Sequence, residues 1–369
     1  MKIAVNLIPY TTYQGIETYT RNLILSLQKT PDIEIILIKH SKSPKFLDLS
    51  GSNIKNFTIA IKKRKRGKLA ILQQTKLFFI LKKTNPDFLL CTSPAAPIFY
   101  RKSIITIHDC AYDRFPEFTS LISKVYFKVM YYNAKIFSRM ILTDSEFSKS
   151  ELIKRYHIKP EKIKVVYLAL PKLPAQKNNA LNHFKLKNKK YFIYVGNTRP
   201  RKNIGGLLRS FKIFLSSHPS YKLVIAGRID DRFVNLKAII KELGLNNNVI
   251  LTDFIKDSEK VNLIKHSAAH TFPSYYEGFG LPILEAQSLG VPVLTSNTSS
   301  IPEVAGKGAL YIDPCNVQDI ARGMEQIVTD TKLRKELIEE GHKNVKRFSW
   351  EKTAKELADI LEELKNEDS

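Results

Sequence analysis

Cysteine, long apolar runs and acidic side chains are all scarce in this chain. Three cysteines, Cys91, Cys110 and Cys315, are scattered over 369 residues. They are too few and too far apart for a disulfide framework or a zinc site, so a reducing compartment, the cytoplasm, is expected. No apolar run approaches the roughly 18 residues of a membrane span. The opening MKIAVNLIPY has one lysine, a short apolar run and no small-residue cleavage site, and reads as a first buried strand instead of a signal peptide. The acidic shortage has the largest consequence. Thirty-five Asp and Glu face 59 Lys and Arg, giving a formal net charge of +24. Residues 1–180 hold 31 of the basic and 12 of the acidic side chains, so the excess lies in the first half and calls for an anionic partner. Nucleic acid, an anionic membrane surface and a phosphorylated substrate all meet that requirement.

What is present is a globular composition, 43% hydrophobic and 25% charged, on a chain long enough for two domains. Short β-rich apolar runs alternate with longer helical periods, which predicts parallel sheets covered by helices. The first series of strand candidates covers 3–7, 33–38, 87–92, 103–108, 140–145 and 164–168. The second covers 190–197, 222–227, 248–251, 268–274, 291–296 and 309–313. Between them ALPKLPAQKNNA (169–180) has closely spaced breakers and no period, as a linker does. The expected fold is α/β, with two Rossmann-like doubly wound domains of similar size facing a central cleft. Ligands of such sheets bind beyond the carboxyl ends of the strands.

The stretch SYYEGFGLPILEAQSLGVPVL (274–294) carries the most chemistry. A strand ends, YYEGFG turns, and LPILEAQSLG has a helix's apolar spacing with proline near its start. Gly278 and Gly280 let the backbone approach a ligand, and the helix start offers N–H groups with partial positive charge. That is a seat for phosphate. Glu277 lies just outside it, and Glu285 one turn into the helix, where a carboxylate can accept hydrogen bonds from a sugar diol. A nucleotide sugar, with hydroxyls at both ends and a diphosphate between, has the matching form.

EGFGLPILEA, followed by GVPVLTSNTSSIPEVAGKGALYIDP, resembles the donor site of the family 4 (group 1) retaining glycosyltransferases of GT-B fold. YVGNTRPRKN (194–203), IHDCAYDRFPEF (107–118), TDSEFSKSEL (143–152) and FSWEKTA (348–354) resemble the family's other motifs in the same order. The resemblance implies domains at 1–170, on the acceptor side, and 171–347, binding the nucleotide sugar. A C-terminal helix over 348–369 returns to the first. It implies that Arg201 and Lys202 neutralise the leaving diphosphate, that Glu285 binds the ribose and that Glu277 faces the transferred sugar. Backbone of Gly278, Phe279, Gly280 and Leu281 then lines sugar and phosphates. Gly196 and Asn197 belong to the facing loop, and Phe254 and Ile255, after Asp253, hold the base. His108 approaches the sugar from the first domain. The loop after the first strand departs from the family's glycine pair, since TYQGIETYT (12–20) has only Gly15.

The implied reaction is a metal-independent transfer of a hexose from a nucleoside-diphosphate sugar, with no cofactor and no metal. The acceptor is a glycan or lipid-linked glycan of lipopolysaccharide, O-antigen or capsule synthesis. The motifs look most like those of mannosyl-transferring members, which puts GDP-mannose ahead of UDP-sugars. Segments 61–83 and 123–140 mix lysines with apolar and aromatic residues. They divide evenly between packed helices with a solvated basic flank and a peripheral contact with an anionic membrane. Three other readings remain open on the residues. Nucleic-acid binding rests on charge alone, without a recognition consensus, and none is expected. A dinucleotide oxidoreductase would need the third glycine that GFGLPI lacks. A GT-B protein that binds its nucleotide sugar without transfer has the same sequence features.

Overall fold

The alternating pattern becomes two parallel sheets in a computed structural model, which describes residues 1–10, 15–61, 66–175, 180–230 and 232–367, with 66–68 by backbone only. Among the described residues the first sheet comprises β1 (Lys2–Asn6), β2 (Glu34–His40), β3 (Ile54–Ile59), β4 (Phe88–Cys91), β5 (Ser103–Thr106), β6 (Met140–Thr143) and β7 (Ile163–Val165). The second comprises β8 (Tyr191–Val195), β9 (Lys222–Ala226), β10 (Val249–Asp253), β11 (Ala269–Phe272), β12 (Val293–Ser296) and β13 (Ala309–Ile312). The orders are β3-β2-β1-β4-β5-β6-β7 and β10-β9-β8-β11-β12-β13. Every pairing is parallel. The fold is therefore two Rossmann-like domains, as the alternation predicts.

Burial explains the strand sequences. YFIYV of β8, AHTF of β11 and VLTS of β12 have no exposed position, the requirement of a sheet covered on both faces. Phe192, Ile193, Leu223 and Val224 pack with Leu207, Leu208 and Phe211 of the helix Ile204–Leu215. In the first sheet Ala4, Ile36, Leu89 and Ile105 pack with Leu77, Tyr131 and Ala134.

The chain divides into one unit of Met1–Pro171 with Ser349–Ser369 and another of Lys172–Phe348. The helix Trp350–Glu367 belongs to the first unit. Thr353 Oγ1 donates to the Tyr167 carbonyl at 2.8 Å, and the Trp350 ring lies 6.0 Å from that of Tyr19.

Two sequence readings need correction. β3 was absent from the strand candidates because its IKNFTI half faces solvent and alternates poorly, as an edge strand does. The segment 61–83, expected to supply one packed helix, has two among its described residues, Arg66–Gln74 and Lys76–Thr84, broken at Thr75 (φ −121°, ψ −83°). The break resets the phase, so Leu77 and Leu81 are buried and Phe79 is 71% exposed. The basic run 62–65, the loop 12–14 and the linker positions 176–179 lie outside the described residues.

In each sheet the strand order reverses beside the first strand of its series: β1 pairs with β2 and β4, and β8 with β9 and β11. Crevices at the carboxyl ends of such strands are where α/β sheets place ligands. In the second sheet the backbone closes tightly there. Gly227 (φ +126°) follows β9, and a Cβ on it would stand 2.3 Å from the Gly196 carbonyl oxygen after β8. Gly227→Ala is expected to destabilise the chain by about 2–4 kcal/mol through clash and strain together. Denaturant unfolding of the two proteins checks this, and equal stability would contradict the packing described.

Candidate functional site

The site is built from the loops that follow β8 and β11. After β8, Pro200 opens a 3-10 turn over Pro200–Lys202, where its missing N–H and fixed φ fit. Asn203 ends the turn in the left-handed conformation (φ +56°), which asparagine tolerates better than most residues. Its Oδ1 then accepts from Gly206 N at 3.2 Å and caps the helix Ile204–Leu215, while its Nδ2 donates to the Pro314 carbonyl at 2.7 Å. The sequence PRKN thus sets Arg201 and Lys202 on a turn fixed at both ends.

The loop after β11 is stitched to that turn. Tyr275 N donates to the Arg201 carbonyl at 2.8 Å, and Arg201 Nη1 donates to the Tyr276 carbonyl at 2.8 Å. Ser300 Oγ donates to the carbonyls of Glu277 and Phe279, and Ser299 Oγ accepts from Glu277 N at 3.1 Å. Gly280 (φ +117°) caps the helix Leu281–Ser288 in a conformation closed to most side chains, with Pro282 in the helix's first turn.

These constraints bring three charges together. Glu277 Oε2 accepts from Arg201 Nη1 at 3.0 Å, and Oε1 accepts from Lys202 Nζ at 2.5 Å. Lys202 also lies 5.0 Å from the centre of the Phe272 ring. Glu277 and Lys202 are buried. Burial works to raise the Glu277 pKa, but Lys202 and Arg201 outweigh it and hold the carboxyl below its ordinary value. The triad keeps one positive charge in excess, next to the start of the helix Leu281–Ser288, whose dipole adds to it. An arrangement of this kind stabilises an oxyanion.

Glu285 is buried and its Oε1 accepts from Lys260 Nζ at 2.8 Å. Burial pulls the Lys260 pKa down, but Glu285 and then Asp257 more than offset this and leave it raised. Lys260, on the helix Asp257–His266, was not singled out from the sequence, because nothing local marks a lysine as the partner of a residue 25 positions away. Phe254 is 78% exposed just past β10, and Ile255 is half-buried against the core. Gly196 and Asn197 follow β8, where the Asn197 carbonyl accepts from Tyr194 Oη at 2.7 Å.

In the first unit His108 lies just beyond β5, between groups that follow β4 and β6. Its Nδ1 is 2.6 Å from Asp144 Oδ2 and its Nε2 is 3.1 Å from the Thr92 carbonyl, with Tyr19 edge-on at 5.2 Å. Burial favours the neutral imidazole, but the Asp144 carboxylate prevails and raises the pKa. Both neighbours offer acceptor oxygens, an arrangement that favours the protonated ring. A contact from this ring to a sugar would have to replace the Thr92 bond. Asp144 is the residue the sequence reading passed over, although it stands within the TDSEFSKSEL motif. Gly15 is the first residue of the helix Gly15–Leu27, with nothing within 4 Å of a Cβ built on it.

A family model described as glycosyl transferases group 1 matches residues 175–344, and one described as glycosyltransferase family 4 matches 13–170. O-antigen chain mannosyltransferase B of Escherichia coli is 31% identical over 266 residues, 69% of this chain and 70% of that protein. The chain belongs to the group 1 glycosyltransferases. This glycosyltransferase is also 28% identical to the O-antigen chain mannosyltransferase RfbU of Salmonella typhimurium over 287 residues, 78% of this chain and 76% of that one. HepE of Anabaena, solved in complex with UDP and glucose, shares the fold at a TM-score of 0.77 and 17% identity. The match covers 98% of this chain and all of HepE. The fold is GT-B.

The triad makes a testable demand on stability. Replacing Glu277 by Gln leaves the buried Lys202 and the partly buried Arg201 short of their counter-charge and is expected to cost about 3 kcal/mol at neutral pH. Because the folded-state pKa of Glu277 is lowered, its contribution is complete above its ordinary value of 4.5 and is lost as pH falls through the folded value. Urea unfolding of both proteins from pH 7 downward should show the gap closing in acid. A gap that is absent at pH 7, or that widens in acid, would contradict the assignment.

Proposed function

We propose that this glycosyltransferase moves a hexose from a nucleoside-diphosphate sugar to a glycan or lipid-linked acceptor in O-antigen or other lipopolysaccharide assembly. GDP-mannose stands ahead of UDP-sugars as donor. The work is done on the cytoplasmic side of the membrane, with the protein held there peripherally. The observation that carries the proposal is the Arg201–Lys202–Glu277 triad beside the helix that opens at Leu281. The mannosyl preference is supported by the two curated relatives, both O-antigen chain mannosyltransferases. The nucleoside-diphosphate class is supported by HepE, solved with UDP and glucose.

In the proposed reaction the bond between the anomeric carbon and the diphosphate oxygen breaks. Negative charge gathers on the leaving diphosphate and positive charge on the sugar. Arg201 and Lys202 supply fixed cations at the leaving group, the role a divalent ion plays in metal-dependent transferases, so the reaction is written without a metal. The acceptor oxygen forms its bond to the anomeric carbon on the face the diphosphate leaves. Its proton passes to a phosphate oxygen of the donor, so configuration is retained. Glu277 holds both cations in place and faces the sugar. Glu285 takes the ribose hydroxyls, with Lys260 fixing the carboxylate. Phe254 and Ile255 border the base, and His108 with Asp144 serves the sugar from the first unit.

A thermal-shift panel of GDP, UDP, ADP and dTDP, each with and without its sugar, tests the donor. GDP and GDP-mannose are expected to raise the melting temperature most. A larger rise with the UDP series would overturn the donor assignment, and no rise with any nucleotide would overturn the site. Steady-state kinetics then separate the roles. Lys202→Ala should lower kcat by about ten- to a hundredfold, the worth of one charge-assisted hydrogen bond. Glu285→Ala should mainly weaken nucleotide affinity, and Glu277→Ala should mainly lower turnover per folded molecule. Negligible effects from both glutamates would defeat the role assignments.

A further inference from the structure

The first unit carries an exposed apolar face that the transfer reaction does not use. Along the helix Leu121–Phe137, the side chains of Leu121, Ile122, Val125, Val129, Tyr132 and Ile136 are all exposed, Ile122 at 82%. At about 100° per residue these six fall within an arc of roughly 100°, a single stripe. Met130, Tyr131 and Ala134 form the buried side, and Lys124, Lys128 and Lys135 run along one border of the stripe. Monomeric soluble proteins rarely leave such a face in water.

The stripe continues beyond the helix. Asn133 Oδ1 accepts from Phe99 N at 3.2 Å, and its Nδ2 donates to the Pro97 carbonyl at 3.3 Å. From the other side Gln74 Oε1 accepts from Ile98 N at 2.8 Å, and its Nε2 donates to the Ala96 carbonyl at 3.2 Å. Two side-chain amides thus clamp the loop that holds Phe99 in a left-handed conformation (φ +65°), unusual for a bulky residue. Its ring is 68% exposed and packs edge-on against Phe137 at 4.7 Å. On the helix Lys76–Thr84, Phe78 and Phe79 are exposed, with Lys82 and Lys83 in the last turn.

At its Ile136 end the stripe meets a basin of about 770 Å³ at the amino ends of β5, β6 and β7. Its wall includes Ile136 and Phe137 themselves, together with Arg101, Lys102, Lys149, Lys159 and Lys162. Arg139 and Lys164, on the same wall, are paired with Glu367 at 2.7 Å and Glu363 at 3.3 Å. Seven cations therefore face three carboxylates, the third being Glu161. Lys162 Nζ donates to the Lys135 carbonyl at 2.6 Å, joining the basin to the end of the striped helix.

We propose that this surface docks the protein on an anionic phospholipid bilayer. The stripe and Phe99 enter the interfacial region, and the basin takes a lipid phosphate. The inference rests on the membrane-side location proposed above and supplies the residues for it. Charge decides the occupant. A second copy of a chain with a net charge of +24 would set basic surface against basic surface, whereas an anionic leaflet attracts both the lysine border and the basin.

Sedimentation with phosphatidylcholine vesicles, with and without about 30 mol% phosphatidylglycerol, tests the proposal. Wild-type protein is expected to bind the anionic vesicles at low salt and release in high salt. The pair Phe99→Ser with Ile122→Glu, and separately the pair Lys102→Glu with Lys159→Glu, should each lower that binding at least about tenfold. Both should keep the wild-type melting temperature and its rise with GDP. Wild-type protein that ignores the anionic vesicles, or variant pairs that bind as wild type does, would overturn the proposal. So would a dimer in light scattering that Ile122→Glu dissolves without any vesicle binding, or binding of inorganic phosphate alone. Vesicle binding with no nucleotide response would uphold the docking surface while the donor reading failed.

Discussion

A buried lysine and a partly buried arginine share one carboxylate at the carboxyl edge of the second sheet, and most of the local structure serves to keep them there. Arg201 and Lys202 come from a turn that Pro200 opens and Asn203 closes, while Glu277 comes from a loop 75 residues later that Ser299 and Ser300 hold by its backbone. Taking a single charge out of water costs several kcal/mol, so neither Glu277 nor Lys202 would be stable alone at that depth. Together the three groups leave a residual positive charge that protein groups hold in position before any ligand arrives. This is the condition under which electrostatic stabilisation is effective, since no reorganisation is then needed as charge develops.

The two sheets repeat one solution. Each reverses its strand order beside its first strand, and each gathers an ion pair just past the carboxyl ends of neighbouring strands: the Glu277 triad in the second unit and His108 with Asp144 in the first. The surroundings differ in kind. The second unit encloses its charges between glycine-lined loops and a helix start. The first wraps its imidazole in a carboxylate, a carbonyl and an aromatic edge, which gives both ring nitrogens a partner within the unit.

Local chemistry was legible in the sequence and distant pairing was not. GFGLP announces a turn into a helix, and Gly280 does adopt the backbone conformation such a turn requires. PRKN announces a capped turn, and the buried strands stand out as apolar runs. Lys260 and Asp144 could not be matched to Glu285 and His108 from spacing, because their contacts span 25 and 36 residues and depend on which loops the sheet brings together. The exposed edge strand β3 lacks the apolar run that marks its neighbours. Thr75 breaks a helix whose apolar spacing reads as continuous, since no glycine or proline signals the interruption. The apolar and lysine content of 123–140 was plain, but its arrangement on one face beside a basic basin needed the fold.

The proposed reaction requires a diphosphate against Arg201, Lys202 and the first turn of the helix Leu281–Ser288. Diffraction from crystals soaked in GDP-mannose addresses it most directly. Phosphate oxygens are expected within hydrogen-bonding distance of both cations, with a ribose hydroxyl on Glu285. Nucleotide density elsewhere, with Arg201 and Lys202 still held only by their protein partners, would contradict it.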